Sequence, residues 1–182
     1  MPISYCSISN IEYPLSDVRR AVLVNVPISA ETLPVVLERT RDTDTNMRKA
    51  VYDSVLAKNV LQGDEKVVGP THPRVLRIQQ REMIVKNGLE DREPSVRAVA
   101  ASLLATWIDV VEIDSESANN DGEVKKIESG VLAFLTLFDL SESDVAANAL
   151  SRIFQARADI FDNVEFNGVK ALMNIFLAVH FL

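Results

Sequence analysis

The chain has 182 residues, 47% of them hydrophobic, which is enough for an ordinary domain with a real core and excludes a disordered polypeptide. Its single cysteine, Cys6, excludes an intramolecular disulfide and the Cys/His spacings that hold structural zinc. The formal net charge is −7, unevenly placed: residues 1–111 carry 14 basic and 14 acidic side chains, and residues 112–182 carry 5 and 12.

Few glycines and prolines, with abundant Ala, Leu, Val and Glu, favour helix. In chain order, apolar residues recurring with helical spacing predict seven amphipathic segments, and no segment alternates as a strand does. The first is a short helix over 16–26, and the second runs from Ala30 to Thr40 with Leu33, Val36 and Leu37 on one face and Ser29 as its cap. The third, over 45–60, carries two adjoining apolar rows, Met47, Val51, Val55 and Tyr52, Leu56, Val60. Gly63, Gly69, Pro70 and Pro73 then break the chain before a helix from Arg74 to Gly88, with Gly88 as its end.

Pro94 opens the clearest helix, reaching Val111, in which Val96, Val99, Ala100, Leu103, Leu104, Trp107 and Val110 follow the i, i+3, i+4, i+7 rule and Trp107 is a core anchor. The polar run Glu112 to Glu123 reads as a flexible acidic loop. Ile127, Val131, Phe134, Leu135 and Phe138 mark a sixth helix, and Val145, Ala149, Ile153 and Phe154 a seventh. A final stretch, Phe166 to Leu182, repeats the helical pattern, and its apolar run from Ala171 to Leu182 is shorter than the roughly 20 residues a bilayer span needs. It ends without a polar cap, so the expectation is a chain truncated at that end or covered there by a partner.

Self-similarity runs through these elements. DVRRAVL at Asp17, NMRKAVYDSVL at Asn46, SVRAVAASLL at Ser95 and DVAANAL at Asp144 share a signature, with Arg19, Arg48, Arg97 and Ala146 at equivalent places. Asp42 lies six residues before Arg48, and Asp91 six before Arg97. Paired helices repeated along the chain predict an all-α solenoid of stacked antiparallel pairs, since one pair cannot bury both of its apolar rows alone.

The Asp/Arg spacing resembles that of HEAT repeats. More narrowly, DVRRAVLVNVPISAETLPVVLERTRD (Asp17 to Asp42), MRKAVYDSVL (Met47 to Leu56) and QREMIVKNGLEDREPSVRAVAASLLATW (Gln80 to Trp107) resemble the family of kleisin-bound HEAT subunits of condensin, condensin subunit 3. The resemblance covers residues 1–111, with the acidic loop over 112–123 and further HEAT-like helices over 124–182. It implies that Asp42, Arg48, Asp91 and Arg97 form a ladder between neighbouring repeats, built of exposed or half-exposed ion pairs each contributing about 0 to 1 kcal/mol. It also implies a non-catalytic scaffold without cofactor or metal. Its partners would be the kleisin subunit, through it the SMC ATPase subunits, and double-stranded DNA held weakly and without sequence preference. The expected location is the nucleus and chromosomes, with the cytoplasm for part of the cell cycle, and no membrane role.

For DNA, the candidates are Arg74, Arg77 and Arg81, which fall within about 60° on the expected helix, as phosphate contact requires. An ordinary solvated face is the alternative. Arg19, Arg20, Arg48 and Lys49 form a second basic cluster, assigned to the ladder. His72, His180 and Cys6 lack neighbours at metal-ligand or nucleophile-activating spacing. No phosphate-binding glycine loop, GxSxG elbow or HExxH occurs, so no catalytic residue is expected. Ser115, Ser117, Ser141 and Ser143 sit among acidic residues in the manner of acidophilic kinase sites. A HEAT adaptor that binds a protein partner and no DNA is the competing function.

Overall fold

A computed structural model describes residues 16–63, 67–115, 133–139 and 145–156. Within them the chain is mainly helical: α1 (Ser16–Asn25), α2 (Thr32–Glu38) extended by a 3-10 turn (Arg39–Arg41), α3 (Thr45–Ala50), α4 (Ile78–Leu89), α5 (Pro94–Ser115) and α6 (Val145–Ala156). Ser29 starts α2 as expected, its Oγ accepting the Glu31 and Thr32 N–H groups, while Thr32 Oγ1 accepts the Ser29 N–H at 2.8 Å. Asp44 caps α3 by accepting the Asn46 N–H at 2.8 Å.

The third segment does not stay α-helical. After α3 it widens into a π-helical stretch (Val51–Leu56) and tightens into a 3-10 turn (Ala57–Asn59). Both apolar rows are buried along it, with Val51 and Tyr52 fully enclosed. The chain then forms what the sequence did not suggest, a minimal antiparallel hairpin of β1 (Leu61–Gln62) and β2 (Val67–Val68). The returning strand closes the open end of the preceding helix. Gly69 and Thr71 donate backbone N–H bonds to Val60 O and Asn59 O, and Thr71 Oγ1 donates to Leu56 O at 2.7 Å. A Cβ at Gly69 would sit on the Asn59 carbonyl oxygen, so glycine is required there.

α5 is the central element and packs on α4, on the π-helical stretch and on α6. Its first 18 residues are long and apolar enough to cross a membrane by length and composition, but 56% of that window is buried inside this fold. Trp107 is fully enclosed, and Phe134 meets Phe138 edge to face with centroids 5.2 Å apart. At about 25 cal/mol per Å² of apolar area removed from water, these rings and the Leu/Val rows supply most of the stabilisation.

Three boundaries differ from expectation. α4 starts at Ile78, because residues 73–76 form turns around the buried His72. α4 ends at Leu89, one residue past the expected end, and Gly88 is its penultimate residue; a Cβ there would stand 2.5 Å from Ala100 Cβ and 2.9 Å from Tyr52 Cε1, so glycine sets how closely α4 crosses α5. α5 continues to Ser115, which removes 112–115 from the expected loop. The rest of that loop, Cys6, His180, Ser117, Ser141, Ser143 and the final stretch 166–182 lie outside the described residues.

Candidate partner and nucleic-acid interface

The Asp/Arg spacing produces one bonding pattern twice. Arg48, on the first turn of α3, donates from Nη1 to the carbonyls of Asp42 (2.8 Å) and Thr43 (3.2 Å), six and five residues earlier. Arg97, on the first turn of α5, donates from Nη1 to those of Asp91 (2.6 Å) and Arg92 (3.0 Å) at the same offsets. Each aspartate in turn accepts the N–H two residues on, Asp42 from Asp44 at 2.9 Å and Asp91 from Glu93 at 2.8 Å.

The rungs between pairs use what remains of each arginine. Arg48 grips Asp91 bidentately, Nε to Oδ2 at 2.6 Å and Nη2 to Oδ1 at 3.1 Å. One pair earlier, Asp42 receives Arg19 at 3.8 Å and Arg39 at 3.7 Å. The rung is therefore arginine of one pair to aspartate of the next, with the arginine's own aspartate bound only through its carbonyl. Exposure also departs from expectation: the Arg48 and Asp91 side chains are 5% and 6% exposed, so the pair obeys buried-pair energetics. Burial opposes ionisation of Asp91, but the Arg48 hydrogen bond, the Glu93 N–H and the charges of Arg48 and Arg92 outweigh it and hold its carboxyl below the usual value. Arg48 is correspondingly raised, first by its bond to Asp91.

A second hydrogen-bond network runs beside this rung. Asn87 donates to Thr40 Oγ1 at 2.8 Å and accepts from Arg41 Nε at 3.1 Å, while the enclosed Tyr52 hydroxyl donates to Ile84 O at 3.2 Å. Burial pushes the Tyr52 phenol far above its ordinary range, so it stays neutral. Sequence periodicity finds Tyr52 as core and gives no sign of Asn87.

The three expected DNA contacts do not form one exposed helical face. Arg74 and Arg77 are exposed and precede α4, so the helical arc does not apply to them, although Arg74 also donates to Val111 O at 3.3 Å. Arg81 is buried, at 8% exposure, with Nη1 donating to Pro73 O (2.6 Å) and Leu76 O (2.7 Å). It fastens the turn that leads into α4 and does not reach the surface. Arg20 and Lys49, from the second basic cluster, line a groove of about 370 Å³ between α1 and α3, which Asp17 and Asp53 also line. His72 is buried in the 69–76 turns, where its Nδ1 accepts the Arg74 N–H at 3.3 Å. Among the described residues no three His, Cys, Asp or Glu side chains cluster as metal ligands.

The described residues form a mainly helical chain in which one Asp/Arg bonding pattern occurs twice and a buried arginine–aspartate pair links the two occurrences. No family model matches it. The chain is 39% identical over 84% of its length to condensin complex subunit 3 of Schizosaccharomyces pombe, 29% over 84% to that of Saccharomyces cerevisiae, and 32% over 76% to that of Homo sapiens. Its fold superposes with a TM-score of 0.62 and 35% identity, over 84% of the chain, on the crystal structure of the S. pombe condensin Cnd3–Cnd2 subcomplex. The chain belongs by homology to the condensin complex subunit 3 family, and spans 11% to 15% of the length of these relatives.

Proposed function

We propose that this chain is part of a non-catalytic HEAT-repeat subunit of a condensin complex, in which stacked helix pairs form a solenoid that holds a kleisin subunit and double-stranded DNA during mitotic chromosome condensation. The observation that carries the reading is the match in sequence and fold to one solved chain, within a subcomplex of two condensin subunits. The repeated rung supports the stacking, since it fixes one helix pair against the next at a defined register. Through the kleisin, the subunit joins the SMC ATPases, which supply the hydrolysis. The site of action is the chromosome within the nucleus, with a cytoplasmic phase in the cell cycle.

The DNA contact falls on Arg74 and Arg77, the two exposed members of the expected set, and excludes Arg81 because its guanidinium is already bonded inside the fold. Phosphate contact by so few cations is non-specific and only modestly salt-dependent, with a log–log slope of about −2 and dissociation constants of about 10⁻⁴ to 10⁻⁶ M. The test is fluorescence anisotropy of a short duplex at two salt concentrations. Binding that weakens with salt and is lost in the Arg74→Glu/Arg77→Glu variant supports the reading. Binding indifferent to both moves the DNA contact elsewhere, kleisin binding without DNA binding keeps the condensin reading and likewise moves the DNA contact, and binding of neither favours the protein-adaptor function.

A further inference from the structure

The carbonyl and carboxylate ends of the ladder line a second groove, about 440 Å³, between the turn after α2 and the last turn of α4. Arg41, Lys86 and Arg92 are exposed along it. Arg41 is steadied through its Nε bond to Asn87. Among the described residues, the terminal nitrogens of Arg41, the Lys86 ammonium and the Arg92 guanidinium have no hydrogen-bond or ion-pair partner.

The acids on its walls do not cancel them. Asp91 is engaged by Arg48, and Asp42 by Arg19 and Arg39, which leaves Glu90 as the one carboxylate facing three unspent cations. We propose that this groove docks an acidic peptide segment of a partner protein, with Arg41 and Arg92 forking onto carboxylates and Lys86 supplying a point charge. Three exposed cations set apart from one another around Glu90 suit separate acidic side chains of an extended peptide, which can be spaced to avoid that carboxylate. A DNA duplex presents instead a continuous line of phosphates that cannot be spaced around Glu90, the one wall carboxylate without an arginine partner.

The test uses the full chain and a fluorescein-labelled peptide of alternating glutamate and serine, with anisotropy as the readout. The Arg41→Gln/Lys86→Gln/Arg92→Gln variant weakens peptide binding about ten-fold, the product of three exposed charge pairs, and Arg74→Glu/Arg77→Glu leaves it unchanged. Glu90→Gln tightens binding about two-fold by removing the repelling charge. All four positions are solvent-exposed, and an unfolding midpoint equal to that of the unaltered chain separates lost docking from lost structure. Peptide binding equal in the triple variant overturns the proposal. So does a groove whose triple variant loses duplex DNA binding while peptide binding persists.

Discussion

Replacing Arg48 by methionine removes one side chain and strands three groups. Asp91 keeps only the Glu93 N–H, and the Asp42 and Thr43 carbonyls lose their shared donor. With both partners at 5–6% exposure, this is the breaking of a buried pair, which costs about 3–5 kcal/mol, where an exposed rung would cost about 0–1 kcal/mol. Removing both partners in Arg48→Met/Asp91→Leu leaves no unpaired charge and costs less than Arg48→Met alone. Urea unfolding of the four chains of this cycle measures the coupling directly. A pH series adds an independent check. Because the folded carboxyl of Asp91 titrates below its unfolded value of about 3.9, the rung's contribution is present above that pH and is lost as pH falls through the folded value. Asp91→Asn flattens that acid limb. An Arg48→Met cost under about 1 kcal/mol, with no coupling, would refute the buried-rung account.

Gly88→Ala forces a methyl against Ala100 and Tyr52 and destabilises the chain by about 1–3 kcal/mol, read as a lower urea midpoint at unchanged slope. Trp107→Ala, at the enclosed centre of α5, costs about 3–5 kcal/mol, a loss comparable to that of Arg48→Met in the same assay. Arg81→Gln lowers stability by about 1–3 kcal/mol because the Pro73 and Leu76 carbonyls lose their donor, whereas Arg77→Gln leaves the unfolding midpoint unchanged.

Much of the helical framework was legible because long amphipathic segments print their period. α5 with Trp107 is the plainest example, and the paired Asp/Arg signatures fixed which helices repeat. The hairpin was not legible, since strands of two residues are too short to show an alternation. Gly88 read as a helix end because sequence shows the residue and not the neighbour; only the approach of Tyr52 and Ala100 explains a glycine inside α4. Arg81 misled for a related reason. Charge suggests solvent, yet a turn with two carbonyls lacking donors draws a guanidinium inward. The rung's identity as an inter-repeat bond came from family resemblance, but its burial is a property of packing that spacing does not carry.

Calorimetric titration of this chain with a kleisin segment of a condensin complex tests the central claim most directly. The account predicts saturable binding at one peptide per chain, with a negative heat-capacity change from buried apolar surface. No heat of binding, from a chain whose helical circular dichroism and cooperative unfolding are intact, would contradict it.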